Sequence, residues 1–172
     1  LDLLEGLCGA RLTYCYYRYG GVCNDVDDTF LQGTRDFVQH MQPRLKMYRD
    51  LVTDNIILRK RLTDIGEIDA EMCRRYGATG PVIRGAGVAY DVRRAEPYSV
   101  YSKFDFKIPT YPEGDSMARY LVRMDEMEQS LRIIEQALDQ LPEGPFIGKV
   151  HRVLKLPAGD TCYAVEAARG RF

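Results

Sequence analysis

The stretch from Asp115 to Leu141 constrains the fold more than any other. Met117, Tyr120, Leu121, Met124, Met127, Leu131, Ile134, Leu138 and Leu141 recur there on one stripe at helical spacing. Asp115 or Ser116 is placed to cap its start, Pro142 and Gly144 to close it, and Glu128 with Arg132 offers a favourable pair four residues apart. A helix of that length, about 40 Å at a rise of ~1.5 Å per residue, needs other elements packed along its apolar stripe. The expected fold is therefore mainly α, a helical bundle around a long central helix over about 115–141.

The rest of the chain fits that frame. Asn24-Asp25-Val26-Asp27-Asp28 lacks the glycine and glutamate register of an EF-hand, so its acids read as N-caps, and a long helix with a kink at Pro43 follows through Phe30, Phe37, Val38, Met41, Leu45, Tyr48 and Leu51. Shorter amphipathic stretches cover Asn55–Leu62 and Ile68–Tyr76, the second ending at Gly77. Periodicity then disappears between Thr79 and Gly114, where glycine and proline recur, and a segment this long without its own pattern reads as an irregular functional or interfacial loop. Minor β-structure is expected near 11–22, rich in tyrosine and ended by Gly20-Gly21, and as a hairpin near 150–167 around Pro157-Ala158-Gly159-Asp160. A single domain over 1–172 is expected, with both ends falling inside elements: Leu1–Leu7 reads as the last turns of a helix, and the tail hairpin breaks off at Phe172.

Composition excludes several functions. With 24 Lys plus Arg against 25 Asp plus Glu and no segregated block of either sign, no nucleic-acid partner is indicated. Apolar runs such as Cys162–Val165 are far too short to cross a bilayer. Five cysteines, at 8, 15, 23, 73 and 162, form no Cys-x-x-Cys pair, which argues against a zinc ribbon or a disulfide framework and fits a reduced, cytoplasmic compartment.

The local motifs are individually bland. Gly85-Ala86-Gly87 has Tyr90 where a dinucleotide fingerprint needs glycine, and no Gly-Lys-Ser/Thr follows. His40 and His151 have no second ligand at metal spacing, and no metal site is expected. The tyrosines at 14, 16, 17 and 19 could line an aromatic pocket or simply populate a strand, the better-supported reading. Residue chemistry alone implies a helical domain with one long ordered loop and no self-contained active site.

A longer pattern adds to this. The run Thr79-Gly80-Pro81-Val82-Ile83-Arg84-Gly85-Ala86-Gly87-Val88-Ala89-Tyr90-Asp91-Val92-Arg93, followed by Pro97-Tyr98 and Tyr101, resembles the signature of the D-subunit family of respiratory complex I, the NADH:quinone oxidoreductase. The similarity continues through Phe104-Asp105, Gly114-Asp115, Arg119-Tyr120-Leu121-Val122-Arg123, Glu126-Met127, Ser130 and Ile133-Ile134. Upstream, Gly9-Ala10-Arg11 with Tyr16, Arg18 and Gly20-Gly21-Val22 matches a second motif, and Pro157-Ala158-Gly159 with Glu166 resembles a later hairpin.

The resemblance implies a relative of the large subunits of nickel-iron hydrogenases, in which the metal cavity has become a quinone pocket beside the terminal iron-sulfur cluster of a partner subunit. It implies participation in NADH-to-quinone electron transfer within a proton-pumping complex that also uses FMN, and a peripheral position on the cytoplasmic side of the membrane. Other subunits of the peripheral and membrane arms would be its partners. It further implies that this chain itself holds neither NADH nor iron, that the headgroup histidine and tyrosine lie outside residues 1–172, and that the chain alone is inactive. Where many members carry a histidine near the terminal cluster, two residues after Arg11, this sequence has Thr13. Arg18, Arg84 and Arg93 are candidate site-supporting cations near cluster or quinone, with ordinary structural ion pairs as the other reading. A membrane-bound hydrogenase or formate hydrogenlyase large subunit and a non-catalytic subunit-interaction module are the alternative functions.

Overall fold

The computed structural model describes residues 1–151, 153 and 157–172. Positions 152 and 154–156, inside the tail stretch expected to form a hairpin, lie outside the described residues. The chain is mainly helical, with helices α1 (Asp2–Cys8), α2 (Asp28–Tyr48), α3 (Ile56–Leu62), α4 (Ala70–Arg75), α5 (Pro81–Arg84), α6 (Val92–Ala95) and α7 (Ser116–Asp139). Among the described residues the strands form two small antiparallel hairpins: β1 (Tyr17–Arg18) with β2 (Gly21–Val22), and β3 (Glu166–Ala167) with β4 (Gly170–Arg171).

The two long helices start where the acids predict. The Asp27 carboxylate accepts from the Phe30 amide to cap α2, and Asp115 accepts from the Ala118 amide to cap α7, each answering one of the donors a helix start leaves orphaned. Helix α2 runs through Pro43 and passes at Arg49–Thr53 into a π-helical turn.

Helices α2 and α7 lie side by side and antiparallel: Arg35 reaches Asp139, Gln42 reaches Glu135 and Arg49 reaches Asp125, so rising numbers on one meet falling numbers on the other. Val38 and Leu45 of α2 bury against Leu131 of α7, with Met41, Tyr48 and Ile134 packed around them. Each such fully buried aliphatic side chain is worth about 1.5–3 kcal/mol in area removed from water. Nearer its start α7 buries Met117, Ala118, Val122 and Met124, while Met127 and Leu141, both assigned to the apolar stripe, stay partly in solvent.

Three local expectations are revised. Glu128 and Arg132 do not pair along the helix: Glu128 meets Arg49 of the π turn, and Arg132 meets Asp105 of the neighbouring loop. Partners on other elements outcompete the exposed intrahelical pair, which is worth only about 0.3–0.5 kcal/mol. The segment 79–114 is punctuated by α5, α6 and a 3-10 turn at Tyr101–Lys103, each too short to show a period in sequence. The tail hairpin turns at 168–169 rather than at Pro157–Asp160, with β3 at the end of the 150–167 stretch assigned to it and β4 beyond that stretch.

Candidate functional site

The middle segment is held by a buried set of charges drawn from four elements. Helix α5 begins at Gly80, with Pro81 preorganised in its first turn, and delivers Arg84, which is only 2% exposed. The Arg84 guanidinium donates from Nη1 to the Tyr90 carbonyl at 2.9 Å and to Glu166 Oε1 at 3.0 Å. Its Nε stands 2.6 Å from Glu126 Oε1 on α7, and Asp91 Oδ2 lies 3.8 Å from Nη1. The second Glu166 oxygen accepts from the Val92 amide at 3.0 Å, so β3 is tied to α5 and α6 through one carboxylate.

Asp91 caps α6 by accepting from the Arg93 amide and takes a two-point contact from the same residue's guanidinium, Nε to Oδ1 at 3.0 Å and Nη2 to Oδ2 at 2.7 Å. Burial by itself would push the Asp91 carboxyl upward, but the hydrogen bonds and charge of Arg93, with Arg84 behind it, hold it below its ordinary value. For Arg93 burial works against the charge, and the bonds to Asp91 more than offset it, so its pKa is raised. Glu126 shows the opposite balance: burial raises its pKa, and the attraction of Arg84 and Arg93 recovers only part of the cost.

An aromatic cluster covers this group. Tyr98 and Tyr101 meet edge to face at 5.0 Å, Tyr163 joins Tyr98 at 6.1 Å, and Tyr101 reaches Phe104 and Phe106. The Arg93 guanidinium lies 4.8 Å from the Phe106 centroid and Arg94 lies 4.1 Å from it, an arrangement in which a delocalised cation keeps favourable contacts while partly desolvated. The Tyr98 hydroxyl accepts from the Glu166 amide at 3.1 Å.

Two glycines show why the motifs need them. At Gly80, φ is +67° and an added Cβ would stand 2.5 Å from the Arg169 carbonyl oxygen, so a side chain there would drive the tail hairpin away. At Gly21 a Cβ would stand 2.2 Å from the Phe146 carbonyl oxygen, where the segment after α7 crosses the first hairpin and bridges at Ile147. Gly20 sits in the β1–β2 turn, and Gly87 in the turn after α5.

The remaining motif residues brace the frame. Gly114 packs against the Ile68 backbone and accepts from its amide, and the Asp115 carboxylate also accepts from the Asp64 amide. Arg119 donates to the carbonyls of Gly114 and Gly66, and Arg123 to the carbonyl of Arg119. Pro97 lies exposed beside Tyr98.

Of the sequence candidates, Arg84 and Arg93 come together around Asp91, whereas Arg18 lies on the exposed β1–β2 hairpin and donates to the carbonyls of Cys15 and Tyr17. Thr13 is exposed, with φ at +56° and its hydroxyl on the Leu12 carbonyl. Tyr17 and Tyr19 are 86% and 80% exposed, so the tyrosines of this hairpin do not enclose a pocket among the described residues. Glu166 holds both Arg84 and Val92, a site role that sequence reasoning misses. Its only signal in sequence is a place in a hairpin motif far from Arg84.

Comparison with known proteins agrees with the motifs. The family model for the respiratory-chain NADH dehydrogenase 49 kDa subunit matches residues 1–172. A D subunit of NADH-quinone oxidoreductase from Opitutus terrae is 78% identical over all of this chain and 43% of its own length, and the D subunit of the same enzyme from Desulfotalea psychrophila is 67% identical over all of this chain and 46% of its own. A solved structure of the membrane-bound sulfane sulfur reductase, an archaeal respiratory membrane complex, superposes with a TM-score of 0.93 at 42% identity, covering 99% of this chain and 48% of the other. The chain spans less than half the length of these relatives. The hydrogenase and interaction-module readings are not favoured by them. The chain belongs to the family of the respiratory-chain NADH dehydrogenase 49 kDa subunit.

Proposed function

We propose that this chain works as part of the D subunit of a respiratory NADH:quinone oxidoreductase, helping to form the quinone pocket beside the terminal iron-sulfur cluster. The observation that carries this reading is the family match over residues 1–172, supported by relatives that bear the D-subunit name at 78% and 67% identity. Quinone is the electron acceptor, NADH the donor, and the FMN and iron-sulfur clusters belong to partner subunits. The cysteines of this chain, at 8, 15, 23, 73 and 162, are spread from exposed to buried sites, and among the described residues no three Cys, His, Asp or Glu side chains are grouped to hold a metal.

The contribution of these residues is shape and fixed charge. Arg84, Asp91, Arg93, Glu126 and Glu166 hold the 79–114 segment rigidly against α7 and the tail hairpin, which presents a preorganised wall rather than a reactive group. Among the described residues no helix is long and apolar enough to cross a membrane. The position that goes with this reading is peripheral, on the cytoplasmic side, held by peripheral-arm and membrane-arm subunits. The 172-residue chain alone is expected to turn over no substrate.

Deleting the gene in its host tests the assignment. Membranes should lose NADH-driven quinone reduction and regain it on complementation, with hydrogen evolution unchanged. Unaltered quinone reduction, or loss of hydrogen evolution instead, would overturn it.

A further inference from the structure

Among the described residues, one group of buried charges does not balance. Asp91, Glu126 and Glu166 bring three carboxylates together with two guanidiniums, Arg84 and Arg93. Four of these side chains come from α5, α6 with its cap, and α7, and Glu166 comes from β3. Among the described residues, the other polar groups nearby do not correct the deficit. Arg94 turns its guanidinium to the carbonyls of Phe104 and Phe106, and the hydroxyl of Tyr98 accepts from the Glu166 amide.

The three carboxylates are unequally supported. Asp91 has the two-point contact of Arg93 and the amide of its own cap, and Glu166 has Arg84 on one oxygen and the Val92 amide on the other. Glu126 has only Arg84 Nε, close at 2.6 Å but off the N–H direction, so that neither Arg84 Nε nor Glu126 Oε1 makes a hydrogen bond although both atoms are buried. A carboxylate 19% exposed, with one oxygen buried and without a hydrogen bond, is the costliest of the three to keep ionised.

We propose that this cluster is a proton-binding site, in which Glu126 takes one exchangeable proton from solvent, its carboxylate becoming the neutral acid and the buried group reaching charge balance. The burial that raises the Glu126 pKa acts in the same direction. Arg84 is shared between Glu126 through Nε and Glu166 through Nη1. Protonating Glu126 therefore leaves Arg84 to Glu166 and tightens the β3–β4 hairpin against α5, whereas losing that proton draws Arg84 toward α7 and loosens it. Proton occupancy at α7 is in this way linked to the hold on the tail hairpin, independently of which electron acceptor the complex serves.

Infrared difference spectroscopy of the purified full chain across pH provides the test. A protonated-carboxyl band should persist above the ordinary carboxylate range, shift when the unmutated protein is grown with 13C-glutamate, and be absent from Glu126→Gln. The reciprocal amides of Val165 and Phe172, bonded at 3.0 and 2.9 Å, should show a protection against hydrogen exchange that falls as Glu126 ionises, and Glu126→Gln should remove that step. Absence of any glutamate-derived band above the ordinary range in the unmutated protein would overturn the proposal without reference to a variant, as would survival of the band in Glu126→Gln.

Discussion

Arg84 and Glu166 stand 82 positions apart in the chain, yet their side chains meet at 3.0 Å with only 2% and 4% of their surface exposed. This contact joins the segment richest in motif residues to the tail, and its loss leaves charges stranded where water cannot reach them.

Arg84→Met is therefore expected to be severe. Removing the shared cation abandons Glu126 and Glu166 together, and breaking one partner of a buried pair costs about 3–5 kcal/mol. Adding Glu166→Gln to it should recover part of that loss, because the two residues are coupled. Urea denaturation of the single and double variants measures both effects; simple additivity would show that the contact is energetically idle.

The pH dependence of stability has two opposed limbs. The Asp91 carboxyl is held low, so its contribution is present above the unfolded value of about 3.9 and is lost as pH falls through the folded value. Glu126 is held high, so its contribution is complete below about 4.3 and is lost as pH rises through its folded value. Asp91→Asn, which keeps the α6 cap, should flatten the acid limb and also weaken the upper limb, because removing the Asp91 charge frees Arg84 and Arg93 for Glu126 and lessens the rise of its pKa. Thermal unfolding between acid and neutral pH distinguishes the two.

The α2–α7 seam carries a second readable group. Tyr111 donates to Asp125 at 2.7 Å, and Asp125 also receives Arg49 at 2.7 Å. Burial first, and then this bond to a carboxylate, pushes the Tyr111 hydroxyl up to about 12. With an unfolded value near 10, the stabilisation it provides is complete below that pH and is lost as pH rises through about 12. Tyrosinate absorbance should show a late-ionising tyrosine that Tyr111→Phe removes.

Much of the scaffold is legible in the residues alone. The long helix expected over 115–141 occupies Ser116–Asp139, because its apolar period and its Asp115 cap are local signals. Asp27 is likewise legible as a cap. The charge cluster is not, because no local rule connects Arg84 with Glu166 or sends Glu128 to Arg49 rather than to Arg132. The turns α5 and α6, four residues each, disappear into a glycine-rich run for the same reason: one helical turn carries no period.

Thr13 offers two measurements. A β-branched residue at φ +56° is strained, so Thr13→Gly should stabilise the protein by about 1 kcal/mol in denaturant unfolding. In the assembled complex a threonine hydroxyl cannot carry a proton with cluster reduction as an imidazole can. The terminal cluster potential should therefore vary less steeply with pH than in Thr13→His. Equal slopes would remove any role for this position in proton-linked reduction.

The proposed function places this chain in the wall of a quinone site. Irradiating the intact complex with a photoreactive quinone and mapping the labelled peptides tests it most directly. Label should be recovered in peptides of this chain and be displaced by excess quinone, whereas label confined to other subunits, or incorporated here without competition, would contradict the account.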